Sequence, residues 1–139
     1  MGQVTMRVTL TNAREHVMAR LGHLAPEAVH TIDIEALIDT GTLRSVVPPA
    51  VADALGLVRM GRTEAQMADG RWGEVDLTEA VEVTLVAGVE RSTVVPMLVM
   101  GETVLLGATV LEGMDLLVDC ARGRLVPNVG TWAQPVFRV

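Results

Sequence analysis

The sequence has no lysine and no tyrosine, and its 139 residues include only three aromatic residues, two serines and one cysteine. The lack of lysine excludes Schiff-base catalysis and the lysine of a phosphate-binding loop. Neither Ser45 nor Ser92 lies in a Gly-x-Ser-x-Gly motif, which argues against a serine hydrolase of that type. The lone Cys120 excludes an internal disulfide and a cysteine-based zinc ribbon, and we interpret it as a small buried apolar residue.

The formal charge of −6 at pH 7 argues against a nucleic-acid partner, because phosphate binding depends on clustered basic residues. No apolar run approaches the length of about 20 residues that a membrane-spanning helix requires. The first residues also lack a basic region followed by a long apolar stretch, so we expect no signal peptide. These features predict a cytoplasmic protein with no nucleic-acid partner and no membrane partner.

Half of the residues are hydrophobic, and the valines come in short runs between Gly, Pro and Asp, which favours strands over helices. A chain of this length fits one domain, here residues 1–139. The pattern predicts strands at 4–10, 31–38, 62–68, 73–86, 91–100 and 104–106, a hairpin at 116–126, and helices at 48–55 and 108–114. Residues 13–21 fit either a short helix or a loop with one helical turn, because Gly22 and Pro26 interrupt the pattern. The result is a mostly β barrel or sandwich with one or two short helices.

Three motifs stand in a specific order. Residues 37–41 read Leu-Ile-Asp-Thr-Gly and end a predicted strand. Residues 66–71 read Gln-Met-Ala-Asp-Gly-Arg, and an Asp-Gly pair between strands predicts a hairpin. Residues 104–107 read Val-Leu-Leu-Gly and precede a helix. Together with the helix after Pro48, this order resembles the retroviral-type, or retropepsin-like, aspartic peptidases, including their bacterial single-domain members.

The resemblance implies a small closed β-barrel of the retroviral-protease (acid protease) type. It also implies a catalytic role for Asp39 and a supporting role in the catalytic turn for Thr40 and Gly41. A flap that binds substrate would contain Ala68, Asp69, Gly70 and Trp72. Leu106 and Gly107 would pack behind the catalytic turn. The resemblance implies no metal and no cofactor.

Two carboxyl groups at close range share one proton, so that one can deprotonate a water while the other protonates the carbonyl oxygen, as in the well-studied aspartic proteases. The sequence contains only one Asp-Thr-Gly, at Asp39. We therefore expect a two-fold symmetric homodimer that hydrolyses a peptide or protein substrate. Residues 3–10 and 132–139 are candidates for a sheet between the two chains.

Other interpretations stay open. Thr42 follows the signature where the family usually has Ala or Ser, and its branched side chain favours an alternative: a catalytically weak or inactive module that binds peptides or proteins. A third possibility is an unrelated small barrel with a fortuitous Asp-Thr-Gly. Trp72 could contact substrate or simply cover the barrel. His16, His23 and His30 recur every seven residues, but Gly22 and Pro26 break the helix that a metal site at that spacing would require.

Overall fold

The computed structural model describes residues 3–67, 69–86 and 91–128. Eleven strands are found in these residues: β1 (Val4–Asn12), β2 (Thr31–Ile38), β3 (Val46–Val47), β4 (Arg59–Gln66), β5 (Trp72–Thr78), β6 (Val81–Leu85), β7 (Ser92–Val95), β8 (Leu98–Val99), β9 (Leu105–Leu106), β10 (Leu116–Asp119) and β11 (Arg124–Pro127). The helices are α1 (Ala13–Arg20), α2 (Pro49–Ala54) and α3 (Ala108–Met114), with a 3-10 turn at Pro26–Ala28. The predicted mostly β fold of the retroviral-protease type is confirmed.

Nine of the described strands form one curled sheet, in the order β4-β5-β8-β3-β9-β2-β1-β6-β7. β10 and β11 form a separate hairpin. β1 pairs antiparallel with β2 from Val4↔Ile38 to Thr11↔Thr31. Val8 and Leu10 are fully buried while Arg7 is exposed, because successive side chains of a strand point to opposite faces. The alternation seen in the sequence therefore places one face of β1 in the core.

Two predicted strands are each divided in the structure. The stretch 73–86 breaks after Thr78, where the chain leaves β4 and β8 and begins to pair with β1. The stretch 91–100 breaks at Pro96, which has no N–H to donate to a neighbouring strand. Each break allows the chain to change its pairing partner within the sheet.

The ambiguous segment 13–21 forms a helix, so the described residues contain three α-helices rather than one or two. Asn12 caps α1 by accepting a hydrogen bond from the Glu15 N–H at 3.1 Å. Gly22 (φ 80°) and His23 end the helix with N–H groups that donate to Ala19 and Met18, a Schellman motif. Gly22 thus ends the helix instead of preventing it. None of the helices in the described part of the chain is long and apolar enough to cross a membrane.

Candidate active site

Asp39 is the first residue after β2, in the middle of the nine-stranded sheet. β2 runs parallel to β9, with Leu37 opposite Leu105 and Ile38 opposite Leu106. The Asp39 N–H continues this ladder by donating to the Leu106 carbonyl oxygen at 3.0 Å. The backbone of Asp39 is therefore fixed by the sheet, although its side chain is exposed.

The turn after Asp39 holds one of its carboxylate oxygens. The Gly41 N–H donates to Asp39 Oδ1 at 2.9 Å, and the Thr42 N–H donates to the Asp39 carbonyl oxygen at 3.4 Å. A Cβ added at Gly41 would lie 3.2 Å from Asp39 Oδ1, closer than most such contacts. Glycine at this position lets the N–H approach the carboxylate. Thr40 is exposed beside it, and no side-chain bond of Thr40 is found among the described residues.

The loop that carries Asp39 passes directly over Gly107. A Cβ at Gly107 would lie 2.8 Å from the carbonyl oxygens of Thr42, Leu43 and Arg44. The Ala108 N–H donates to the Thr42 oxygen at 2.8 Å, which joins the loop to the start of α3. Leu106, at 2% exposure, lies in the core beneath. The structure thus brings Leu106 and Gly107 against the Asp39 loop.

Ser45 completes this attachment, and the sequence analysis did not identify it. Its side chain is buried, and its Oγ accepts a hydrogen bond from the Gly107 N–H at 3.0 Å. The same residue's carbonyl oxygen accepts from the Leu98 N–H at 2.9 Å. The one available signal was a serine immediately before two buried valines, which is too common a pattern to indicate a partner 62 residues away.

A groove of about 700 Å³ opens beside Asp39. Its walls come from the Asp39 loop, from the end of β4 and from the segment between β8 and β9. Seven of the lining residues are apolar, of which one is exposed, three are half-buried and three are buried: Leu43; Met67, Met100 and Leu105; and Val46, Ala65 and Leu98. Arg44, Glu64 and Glu102 add charged groups at the groove. The groove can therefore accept an extended ligand with apolar side chains next to a carboxylate.

A comparison with protein-family models matches residues 25–117 to the family described as "gag-polyprotein putative aspartyl protease". The matched span includes Asp39, the β4–β5 hairpin and Gly107. The chain belongs to this aspartyl protease family. A search of curated proteins found no match.

The hairpin between β4 and β5 carries the residues that were predicted to form a flap. Gly70 (φ 85°) turns the chain and donates its N–H to Met67 at 2.9 Å. The Asp69 carboxylate accepts the Arg71 N–H at 3.0 Å and pairs with Arg71 Nε at 2.8 Å. These bonds, the backbone one foremost, lower the pKa of Asp69. Asp69 and Gly70 therefore build the turn itself.

Trp72 lies outside the groove. It is 67% exposed and pairs across the hairpin with Gln66, on the face opposite buried Ala65. The residues that line the groove from this hairpin are Glu64, Ala65, Gln66 and Met67, whereas Asp69, Gly70 and Trp72 do not line it. Ala68, also predicted to belong to the flap, lies outside the described residues, as do residues 132–139. None of the four lining residues was among those assigned to substrate binding from the sequence.

Two of the three histidines contact glutamate side chains. His16 Nδ1 lies 2.7 Å from Glu82 Oε2, and His30 Nδ1 lies 2.8 Å from Glu15 Oε1. Among the residues that the structure describes, no group of three or more His, Cys, Asp or Glu side chains could hold a metal ion. His16 on α1 and His30 before β2 therefore make separate contacts, although their spacing in the sequence is regular.

Cys120 is exposed, so its interpretation as a buried residue was wrong. It lies in the turn that joins β10 to β11. With Val118 it lines a second cavity, of about 300 Å³, that also touches Asp39 and Thr40. Asp39 therefore lines two cavities of different size.

Proposed function

We propose that this chain is an aspartic endopeptidase that hydrolyses peptide bonds as a homodimer, with a water activated between the Asp39 carboxyls of the two chains. The observation that carries the proposal is Asp39 itself. Its backbone is bonded to Leu106, its Oδ1 is held by the Gly41 N–H, and it opens on a groove of about 700 Å³. Membership of an aspartyl protease family supports the same chemistry.

The two carboxyl groups have different catalytic roles. The ionised Asp39 takes a proton from water, whose oxygen attacks the carbonyl carbon, while the protonated Asp39 of the other chain donates to the carbonyl oxygen. As the tetrahedral intermediate breaks down, the C–N bond cleaves and a proton passes to the leaving nitrogen. One chain carries one Asp-Thr-Gly, so a second copy must supply the other carboxyl group.

The groove supports a peptide or protein substrate with apolar side chains near the cleaved bond. Met67 and Ala65 line the groove from β4 and the residue after it, and Met100 and Leu105 line it from the residue after β8 and from β9, so a bound peptide would bury apolar surface there. Closing the hairpin over the peptide would remove water and strengthen the electrostatic interactions of the carboxyl pair.

Asp39→Asn is the direct test. We expect the substitution to reduce cleavage of a mixed peptide library by roughly 10²–10⁴-fold, because acid–base catalysis of this kind contributes about that much. Cleavage products would be counted by mass spectrometry across pH 3–8, with wild-type activity highest at mildly acidic pH. The matched control is Asp33→Asn, since Asp33 is an exposed aspartate on β2 that accepts a bond from Thr9 away from the groove. Full activity in a clean preparation of Asp39→Asn would refute the proposal.

A binding module without turnover is the second candidate, and Thr42 is the observation that favours it. Thr42 lines the same groove as Asp39, and its Oγ1 donates to the Arg44 carbonyl oxygen at 3.3 Å, which holds the branched side chain in place there. This candidate predicts that wild-type protein and Asp39→Asn bind a labelled peptide equally and that neither cleaves it. Fluorescence anisotropy alongside the cleavage assay distinguishes the two candidates.

A further inference from the structure

We propose that the groove beside Asp39 has a positive end and a negative end, and that it selects peptides in which apolar residues separate an acidic side chain from a basic one. The acidic side chain would bind Arg44 and the basic one Glu102, both of which line the groove. The inference rests on the proposed function, because it takes this groove as the peptide-binding site.

Arg44 lies beside the start of β8. β3 and β8 run parallel with Val46 opposite Leu98, and the Leu98 N–H donates to the Ser45 carbonyl oxygen at 2.9 Å. At this register Arg44, two residues before Val46, comes level with Pro96, two residues before Leu98. A third cavity, of about 260 Å³, supports this placement independently, because Arg44 and Pro96 both line it. The positive end of the groove is therefore at the start of β8.

Glu102 lies beyond the other end of β8. The Met100 N–H donates to the Val47 carbonyl oxygen at 3.0 Å, so the two strands are still bonded at this point. Gly101 (φ 71°) then turns the chain, and Glu102 follows in the segment that leads to β9. The negative end of the groove is therefore separated from the positive end by the length of β8.

This separation suits a short extended peptide. Pro96, level with Arg44, and Met100, before Glu102, are four residues apart, which corresponds to about 13 Å in a strand. Leu98, halfway between them, is buried and lines the groove. A five-residue extended peptide spans the same distance, and its first, third and fifth side chains point to the same face. Its end side chains could therefore reach the two charges while its central one contacts the apolar lining.

The charges of Arg44 and Glu102 are available to a ligand. Both residues are exposed. Within the part of the chain that the structure describes, the ion pairs include neither of them. A peptide that covers the groove would displace water from both groups. Opposite charges on the peptide would then favour binding, and like charges would oppose it.

Glu64 makes the groove more negative than positive. It lines the groove from β4, opposite Glu74 of β5. Arg62, two residues before it, lies 3.2 Å from the Glu74 carboxylate. Glu64 and Glu102 together therefore outweigh Arg44 among the charges that line the groove. We expect the basic side chain of the peptide to contribute more to the affinity than the acidic one.

Five-residue peptides with three central apolar residues and blocked ends test the inference. One end carries glutamate or its neutral isostere glutamine, the other carries arginine or its neutral isostere citrulline, and both orders are made. Fluorescence anisotropy measures their binding to the Asp39→Asn protein, in which cleavage is not needed for a signal. We expect each charge to tighten binding about two- to fivefold in the better-bound order, the range of exposed ion pairs.

Two substitutions assign each charge preference to its residue. Arg44→Gln should abolish the preference for glutamate over glutamine and leave the preference for arginine over citrulline. Glu102→Gln should do the reverse. Where a peptide is cleaved, kcat/KM of the same variants with Asp39 intact should change in the same way. Arg20→Gln and Glu35→Gln are the controls and should alter neither preference, because both residues are exposed outside the groove and their substitution changes the net charge equally.

The outcomes separate this inference from the proposed function. Asp39-dependent cleavage without any charge preference would overturn the charged ends and leave the peptidase proposal standing. Preferences that Arg44→Gln and Glu102→Gln change alike, or that the controls change equally, would also overturn the charged ends. Separate preferences without cleavage would support the charged ends and favour a binding module over a peptidase. Neither binding nor cleavage of any peptide would overturn both proposals.

Discussion

At position 107 the lack of space, rather than the backbone conformation, requires glycine. Its φ of −88° is accessible to any residue, so left-handed geometry is not the reason for glycine. The three carbonyl oxygens that surround the position of a Cβ leave no room for a side chain. Because those oxygens belong to Thr42, Leu43 and Arg44, the space at Gly107 determines how closely the Asp39 loop lies on the start of α3.

Gly107→Ala should therefore lower the free energy of unfolding by about 1–3 kcal/mol, the usual cost of inserting a methyl group into a filled site. The added methyl group should also displace the Asp39 loop. Cleavage should therefore fall even at temperatures where the variant is fully folded. Urea unfolding and cleavage assays would measure the two effects. Gly61→Ala is the control, since nothing lies within 4 Å of a Cβ at Gly61. Equal stability of the two variants would contradict the explanation.

The sequence indicated Asp39 and Gly107 because both lie in short motifs with a recognisable order. It could not indicate Ser45, whose role comes from the N–H of a residue 62 positions later. The same applies to buried Asn12, whose Nδ2 donates to the Leu55 carbonyl oxygen at 3.0 Å. Side chains that join distant segments depend on the tertiary fold, and a local pattern does not report them.

At the scale of elements, α1 is attached to the sheet by charged groups. None of its residues is buried. Arg14 binds Glu79 through two nitrogens, at 2.8 and 3.1 Å, and the Val58 N–H also donates to Glu79 at 2.7 Å. The bond from Arg14 is the main cause that lowers the pKa of Glu79. Burial acts to raise the pKa of Glu15, but bonds from His30 outweigh it and lower that pKa as well.

Glu79→Gln should thus destabilise the protein in a pH-dependent way. The folded chain holds Glu79 ionised below the usual glutamate pKa of about 4.3, so its stabilisation is complete at neutral pH and is lost as the pH falls through the lowered value. We expect a loss of about 1–2 kcal/mol at pH 7, limited by solvent screening of half-exposed Arg14, and a smaller loss at pH 3. Thermal unfolding at both pH values measures this. Glu27→Gln, at an exposed position in the 3-10 turn, should cost little at either pH, and a loss for Glu79→Gln that does not change with pH would contradict the argument.

Sequence patterns predicted the elements well where a segment keeps one set of neighbours. β2 (Thr31–Ile38) and α3 (Ala108–Met114) have the predicted bounds. The break after Thr78 was missed, because apolar residues continue while the chain changes from one pairing partner to another. The break at Pro96 had a signal, the missing N–H of proline, but its effect depends on which edge of the strand is paired. The prediction for α1 stayed open because the sequence pattern does not show whether Gly22 interrupts a helix or ends it.

At the scale of the whole molecule, the proposed mechanism makes each active unit depend on two intact chains. Mixing wild-type protein with a tenfold excess of Asp39→Asn should lower the activity per wild-type chain roughly tenfold, since most wild-type chains would then pair with a variant. A titration of cleavage rate against the variant fraction, after time for exchange, provides the measurement. Unchanged activity in this mixture, with exchange verified, would mean that one chain suffices.

The two-residue strand β9 has a mechanical consequence for the site. Leu105 pairs with Leu37 of β2 before the Asp39 loop and with Val46 of β3 after it. Both ends of the loop are thereby attached to the same short strand. In the proposed dimer, a shift of β9 would carry the loop along as one piece and change the distance between the two Asp39 residues while keeping the orientation of each carboxylate. Substitutions at Leu105 and Leu106 would then change the distance between the two carboxyl groups.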